Sequence, residues 1–285
     1  MLKRQKSGAV LCRSCGKLVG VNDEKCLNCG HSNPALWGFA PALRRLGQDL
    51  GFVPIVIGGC AALYTATLLV DPEGIRTTGL FSFLAPSMRA LFMFGASGAV
   101  PVFSYGRWWT VLSAAWLHGG LLHIFFNMMW IRQLAPATAE LYGPGRMVII
   151  YTAAAVSGFG LSTLAGAFFG SLPFLLRGAQ FTIGASAPLF GLLGALVLYG
   201  RRSGSSYIRA QAFRNAVILF VFGLVMQGID NYAHLGGFLG GYLTARWLDP
   251  LRPERVEDQI AGLACLGLSA ASILASLFHG FNLFR

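Results

Sequence analysis

Charge is scarce in this chain of 285 residues. Asp, Glu, Lys and Arg together make up 12%, against roughly 25% in a soluble domain. Hydrophobic types reach 55%, and the mean hydropathy is +0.60. Apolar stretches of about 18 residues or more recur, each long enough to cross a hydrocarbon core. A soluble globular domain is thereby excluded, and an integral membrane protein with several spans is expected. A cleavable signal peptide is not expected, because no short apolar segment lies near Met1. Acidic residues are the scarcer charges, 11 against 22 Lys and Arg. The resulting charge of +11 does not call for nucleic acid as a partner. If the apolar runs are spans, most Lys and Arg fall into alternate loops, as the positive-inside rule requires. The spans also lack the paired mid-membrane charges and broken helices expected of a transporter.

Cysteine is sparse too, six in all, and four of the six are clustered. Cys12, Cys15, Cys26 and Cys29 form a C-x2-C-x10-C-x2-C pattern. Two thiolate pairs at this spacing can close a tetrahedral site around Zn²⁺. Gly16 and Gly30 each follow a CxxC, where the turn needs positive φ. The alternative of two disulfides needs an oxidising compartment. Lys3, Arg4, Lys6, Arg13, Lys17, Lys25, Arg44 and Arg45 instead place this end in the cytosol. A structural Zn²⁺ is expected, with a cytosolic protein as a candidate partner of the module. His31 is a spare potential ligand, read as a surface residue. Cys60 and Cys265 lie within spans and are read as packing.

The chain divides into a zinc-ribbon-like module over 1–36, a linker over 37–50 with a short amphipathic piece, a membrane core over 51–250, and a linker with a last span over 251–285. The first span is Phe52 to Val70. Leu80 to Phe103 is apolar, but Pro86, Arg89, Gly95, Gly98 and Pro101 interrupt it. It is read as a re-entrant or interface-lying loop, with Trp108 and Trp109 at the interface. The later spans run from about Gly120 to Glu140, Gly145 to Phe169, Ala185 to Gly200, Arg214 to Gln227, Asp230 to Leu248, and Gln259 to His279. This gives about seven spans with the N-terminus inside. Reading Leu80 to Phe103 as a true span would reverse every later loop and lose the charge asymmetry.

On this topology the second, fourth and sixth spans all run from outside to inside. Their first turns share one depth and carry His123 and Asn127, then Ser186, then His234. Polar groups within spans are costly and often functional. Ser186 opens its helix, with Pro188 suited to a first turn. The helix N-terminus presents free N–H groups and a positive dipole end to a developing anion. A serine hydroxyl needs a base to become a nucleophile, and His234 is the candidate. Gly236, Gly237, Gly240 and Gly241 follow it as two overlapping GxxxG patterns, which let another helix approach closely. His123 and Asn127 are four apart and share a face. With the Ser186 N–H they would form an oxyanion hole. The bland alternatives are a Ser bonded back to its own helix and a His or Asn that only bridges helices. Gly95-Ala96-Ser97-Gly98 also fits a GxSG pattern, but Ser97 lies in a loop and is read as part of a flexible turn. Asp230, one turn before His234, could orient the imidazole; a helix cap is the favoured reading.

Together these residues resemble the rhomboid family of intramembrane serine proteases. The matching pieces are His118-Gly-Gly-Leu-Leu-His123-Ile-Phe-Phe-Asn127, the Gly184-Ala185-Ser186 turn, Ala233-His234-Leu235-Gly236-Gly237, and Gly106-Arg-Trp-Trp-Thr110 in the first loop. The resemblance covers roughly residues 50 to 250. It implies an all-α polytopic fold, a six-helix core to which this chain adds one C-terminal transmembrane helix and the N-terminal zinc-ribbon-like module. It implies a Ser186–His234 dyad, oxyanion donors at His123 and Asn127, and support from His118, Gly184 and Phe190. It implies no cofactor for catalysis. Substrates would be single-span membrane proteins, cut near the external end of an unstable helix, in the cell membrane. A catalytically silent relative that binds membrane clients is the alternative. The family often has Gly where this chain has Ala187, Tyr stacked on the histidine where it has Phe190, and Arg where it has Thr110, with Arg107 nearby as a substitute.

Overall fold

A computed structural model describes residues 4–12, 15–41, 49, 51–79, 82–172, 177–226 and 228–283. The amphipathic piece expected between 37 and 50 falls mostly on 42–48 and lies outside the described residues.

The N-terminal module is built from two similar turns. Strand β1 (Ala9–Leu11) pairs antiparallel with β2 (Leu18–Gly20), Val10 opposite Val19. Gly16 N–H donates to the Cys12 carbonyl at 2.9 Å, and Gly30 N–H to that of Cys26 at 2.8 Å. Both glycines sit near φ +70°, a conformation open to Gly at little cost. Val10, Val19, Val21 and Ala35 pack around the buried Cys12 and Cys26.

Nine α-helices follow among the described residues: α1 (Phe52–Val70), α2 (Met88–Phe94), α3 (Thr110–Ser113), α4 (Leu121–Tyr142), α5 (Pro144–Phe169), α6 (Ser186–Ser203), α7 (Ser206–Val225), α8 (Asn231–Trp247) and α9 (Val256–Leu283). By length and composition α1, α5, α7 and α9 can each cross a membrane. A fifth span arises if α4 is joined to Thr110–Trp116, from which it bends by 95°. The protein is an integral, multi-pass membrane protein. Helices α6 and α8 do not reach that mark alone. Helix α8 is short, 17 residues. Helix α6 is buried from Ala187 to Leu198, so its side chains meet protein rather than lipid and need less apolarity.

Small residues set the directions of the inner helices. A Cβ at Gly237 would fall 2.1 Å from the Ala187 carbonyl oxygen, and one at Gly241 2.2 Å from that of Gly191. Both numbers rise together, so α6 and α8 run parallel. Gly236 instead meets Gly158, and Gly240 meets Ser157, so α5 runs against α8. The two overlapping GxxxG patterns thus serve two different neighbours. His123 lies beside Gly184, and Tyr142 Oη donates to the Ala195 carbonyl at 2.8 Å. Helix α4 therefore runs with α6, and the second, fourth and sixth long helices share one direction.

Four expectations need adjustment. Helix α7 starts at Ser206 rather than near Arg214, because Ser205 caps it by accepting from Ile208 N–H at 3.4 Å. Its early turns carry Arg209 and Arg214 beyond the apolar stretch that marked the span. Helix α9 likewise extends past Gln259 and His279 at its two ends. Ser97 is not in a flexible turn. It is fully buried and exchanges backbone hydrogen bonds with Thr182 at 3.0 and 2.8 Å, which ties the first loop to the approach of α6. Trp109, expected at the interface, is half-buried against α9 instead, whereas Trp108 is exposed.

Candidate active site and metal site

Ser186 is the first residue of α6, where backbone N–H groups lack partners within the helix. Its Oγ lies 3.0 Å from His234 Nε2. For Nε2 to accept the hydroxyl proton, the ring proton must sit on Nδ1. No hydrogen-bond partner of Nδ1 exists among the described residues. Phe190, one turn along α6, stacks on the imidazole with ring centres 4.2 Å apart and planes 17° apart. The ring is thus held from its face, and Ser186 meets its edge.

Asp230 does not reach that ring as an orienting partner. Its Oδ1 accepts from Ala233 N–H at 3.1 Å, capping α8. Its Oδ2 accepts from Ser162 Oγ on α5. Asp230 therefore fixes where α8 begins. Ser162 was not singled out by sequence reasoning, since a serine within an apolar span carries no signal of its partner.

His123 is placed by the loop before it. Gly119 N–H donates to His123 Nδ1 at 3.2 Å, which leaves the proton on Nε2 and makes that atom a donor. Gly119 was also missed, though its place between His118 and His123 is visible in the sequence. A Cβ on Gly184 would lie 2.7 Å from His123 Nε2 and 3.7 Å from Ser186 Oγ. Both groups therefore face the space beside Gly184, whose φ of +125° also disfavours a side chain. His118 is buried and packs edge to face on His123, ring centres 5.1 Å apart. Asn127 is buried, and its Nδ2 donates to the His123 carbonyl at 2.8 Å. One amide N–H remains for another acceptor. Ser97 does not join this group; its Oγ is 3.3 Å from Thr110 Oγ1.

The departures from the family pattern are accommodated. Ala187 is buried against Gly158 of α5, where a Cβ would sit 2.9 Å from that of Ala187. Arg107 is fully buried. Its guanidinium donates to the carbonyls of Phe92 and Met93 at the end of α2, where the helix dipole favours a cation. It also lies over the Phe92 ring, 4.4 Å from the centre.

The rhomboid domain model matches residues 105–249, slightly more than half of the sequence. This chain belongs to the rhomboid family. The rhomboid protease GluP of Bacillus subtilis (strain 168) is 32% identical over 143 residues, 49% of this chain and 26% of that relative. RHOMBOID-like protein 4 of Arabidopsis thaliana is 31% identical over 183 residues, 58% of this chain and 42% of the relative. RHOMBOID-like protein 5 of the same plant is 30% identical over 222 residues, 71% of this chain and 68% of the relative. The chain thus spans about a quarter to a half of the length of the first two. The matched rhomboid domain takes in every residue of the Ser186–His234 group, and leaves the cysteine module and α9 outside.

In the module, the Sγ atoms of Cys12, Cys15, Cys26 and Cys29 all lie within 4.8 Å of one another. Cys12 and Cys29 are 3.8 Å apart, and Cys15 and Cys26 3.6 Å. A disulfide would need about 2.05 Å. A tetrahedral ion with metal–sulfur bonds of about 2.3 Å sets its sulfurs about 3.8 Å apart. The donor set therefore fits a metal ion. The Lys17 backbone N–H brings the Cys15 thiol down to about 6, so the thiolate, the ligand form, prevails at neutral pH. His31 is not among the clustered ligands.

Proposed function

We propose that this rhomboid is an intramembrane serine endopeptidase working through a Ser186–His234 dyad. The observation that carries the reading is the 3.0 Å contact between Ser186 Oγ and His234 Nε2, made at a helix N-terminus. As Ser186 Oγ attacks a substrate carbonyl carbon, His234 Nε2 takes its proton. The oxyanion that forms is met by the Ser186 backbone N–H and by the Nε2–H of His123, with the spare N–H of Asn127 as a further donor. His234 then gives its proton to the leaving amine, and the peptide bond breaks. In the second half, His234 takes a proton from water, the hydroxide attacks the acyl ester, and Ser186 recovers its proton. Gly184 leaves room for the His123 ring, His118 buttresses that ring, and Phe190 holds His234.

The substrates in this reading are single-span proteins of the bilayer, cut near the external end of their helix. The positive-inside pattern supports a cytosolic N-terminus, and the cell membrane is the proposed location. The units proposed are the module over 1–36, the linker over 37–50, the protease core over 51–250, and a linker with the seventh helix over 251–285. The four cysteines would bind one structural Zn²⁺, and the module would meet a cytosolic protein. Nucleic acid is not expected.

The test is cleavage of a single-span reporter by the purified protein in lipid vesicles. Ser186→Ala and His234→Ala are expected to lower the rate at least about 10⁴-fold, while Ser97→Ala keeps it. Full activity in Ser186→Ala would end the proposal.

A further inference from the structure

Helix α9 lies outside the matched rhomboid domain, yet its outer half is bonded into the first loop of that domain. Ser272 Oγ donates to the Trp109 carbonyl at 2.7 Å. Trp109 Nε1 donates to Ser276 Oγ at 3.0 Å. Arg107 Nη2 donates to the Ser276 carbonyl at 2.9 Å, and Ser113 Oγ lies 3.3 Å from Ser276 Oγ. Ser276 is fully buried. The approach is shaped by glycines. A Cβ on Gly95 would sit 2.5 Å from Ser276 Oγ, and one on Gly280 would sit 2.8 Å from the Met93 Cα.

The other end of α9 is fastened as well. Arg146 of α5 pairs with Asp258 at 2.7 Å and donates to the carbonyls of Asp249, Arg252 and Pro253. Gly145 and Gly262 meet backbone to backbone. A helix fixed at both ends is a strut rather than a loose appendage.

From Ser276 the contacts lead to the dyad. Ser113 closes α3, which runs directly into Ala114–Trp116. The Ala114 carbonyl accepts from Gly184 N–H at 2.8 Å, two residues before Ser186. The same segment continues to Gly119, whose N–H sets the His123 ring. Coupling of this kind is carried by contiguous packed and hydrogen-bonded groups. We propose that α9 is a positioning element for the active site, and that Ser276 is its positioning residue, acting through Trp109 and Ser113 on the Gly184–Ser186 turn. The kinetic part of this inference rests on the protease reading above.

Ser269 supplies the control. It is buried on the same helix, but its Oγ donates only within that helix, to the Cys265 carbonyl at 3.1 Å. The experiment compares Ser276→Ala, Trp109→Phe, the double variant and Ser269→Ala in full-length protein. It reads kcat and KM on the reporter, and amide exchange over residues 182–186. Ser276→Ala and Trp109→Phe are expected to lower kcat about tenfold, with KM little changed, since small misplacements of catalytic groups can cost up to about 10²-fold. The double variant should lose little more than Ser276→Ala alone, because that substitution already removes the Trp109–Ser276 bond. Exchange over 182–186 should quicken, and Ser269→Ala should match wild type in both readouts. The inference is overturned if Ser276→Ala behaves as Ser269→Ala does, or if exchange over 182–186 is unchanged. A wild-type protein that cleaves nothing would sink the protease reading, and the exchange result would then decide this one alone.

Discussion

Gly237 of α8 touches the backbone of Ala187 in α6 so closely that a Cβ there would lie 2.1 Å from the Ala187 carbonyl oxygen. The helices meet main chain to main chain, one turn from the Ser186–His234 contact. Their separation therefore sets the distance between hydroxyl and imidazole. Without a hydrophobic drive between helices in lipid, such close packing is a main source of association.

That contact predicts an ordering among neighbouring glycines. A methyl at Gly241 meets three backbone atoms of Gly191, at 2.2 to 2.5 Å, whereas a methyl at Gly240 meets the Ser157 side chain, whose Oγ can rotate away and whose Cβ, 2.6 Å off, needs a small shift of α5. Gly241→Ala is expected to lower thermal stability by about 1–3 kcal/mol and to reduce cleavage. Gly240→Ala is expected to do less of both. Equal losses, read by thermal unfolding and reporter cleavage, would contradict the packing described.

Gly184→Ala tests the space shared by His123 and Ser186. The new methyl would press on the His123 ring, 2.7 Å from Nε2, at a φ of +125°. Backbone strain of about 1–3 kcal/mol is expected, with kcat reduced about 10- to 100-fold and KM less affected. Unchanged kcat would remove His123 from the site.

Phe190→Leu removes the face-on support of His234 while keeping an apolar group. An aromatic pair is worth about 0.5–1.5 kcal/mol beyond its area, which corresponds to a fall in kcat of about 2- to 10-fold. A kcat equal to wild type would mean that the stacking does not hold the imidazole for catalysis.

The cysteine module gives a prediction independent of proteolysis. Purified protein is expected to carry about one zinc per chain, measured by elemental mass spectrometry. The Cys12→Ser, Cys15→Ser double variant should lose it. Zinc retained in that variant would refute the four-thiolate site.

Much of this architecture is written in local patterns. The scarcity of charge and the recurring apolar runs announce the spans. The Pro and Gly interruptions between Leu80 and Phe103 announce that this segment is no span; among its described residues it forms the short α2, turns, and the start of a π-helical stretch over Val100–Ser104. The pattern around Gly236 to Gly241 announces close packing but not that it faces two helices, because a GxxxG spacing names no partner. The pairing of Ser186 with His234 was legible since each opens a helix of the same direction. What stayed hidden depends on contacts between distant positions. Asp230 with Ser162, Gly119 with His123, and Ser276 with Trp109 each join common residue types whose roles only tertiary packing defines. The early start of α7 was hidden for another reason, since a helix can leave the apolar zone while its hydropathy signal ends.

The most direct measurement is covalent trapping with a fluorophosphonate probe, followed by mass-spectrometric mapping of the labelled residue. Only a serine whose hydroxyl can pass its proton to a base reacts readily. A single adduct on Ser186, lost in His234→Ala, is the predicted result. An adduct on Ser97 instead, or labelling of Ser186 that His234→Ala leaves at the wild-type rate, would contradict the account.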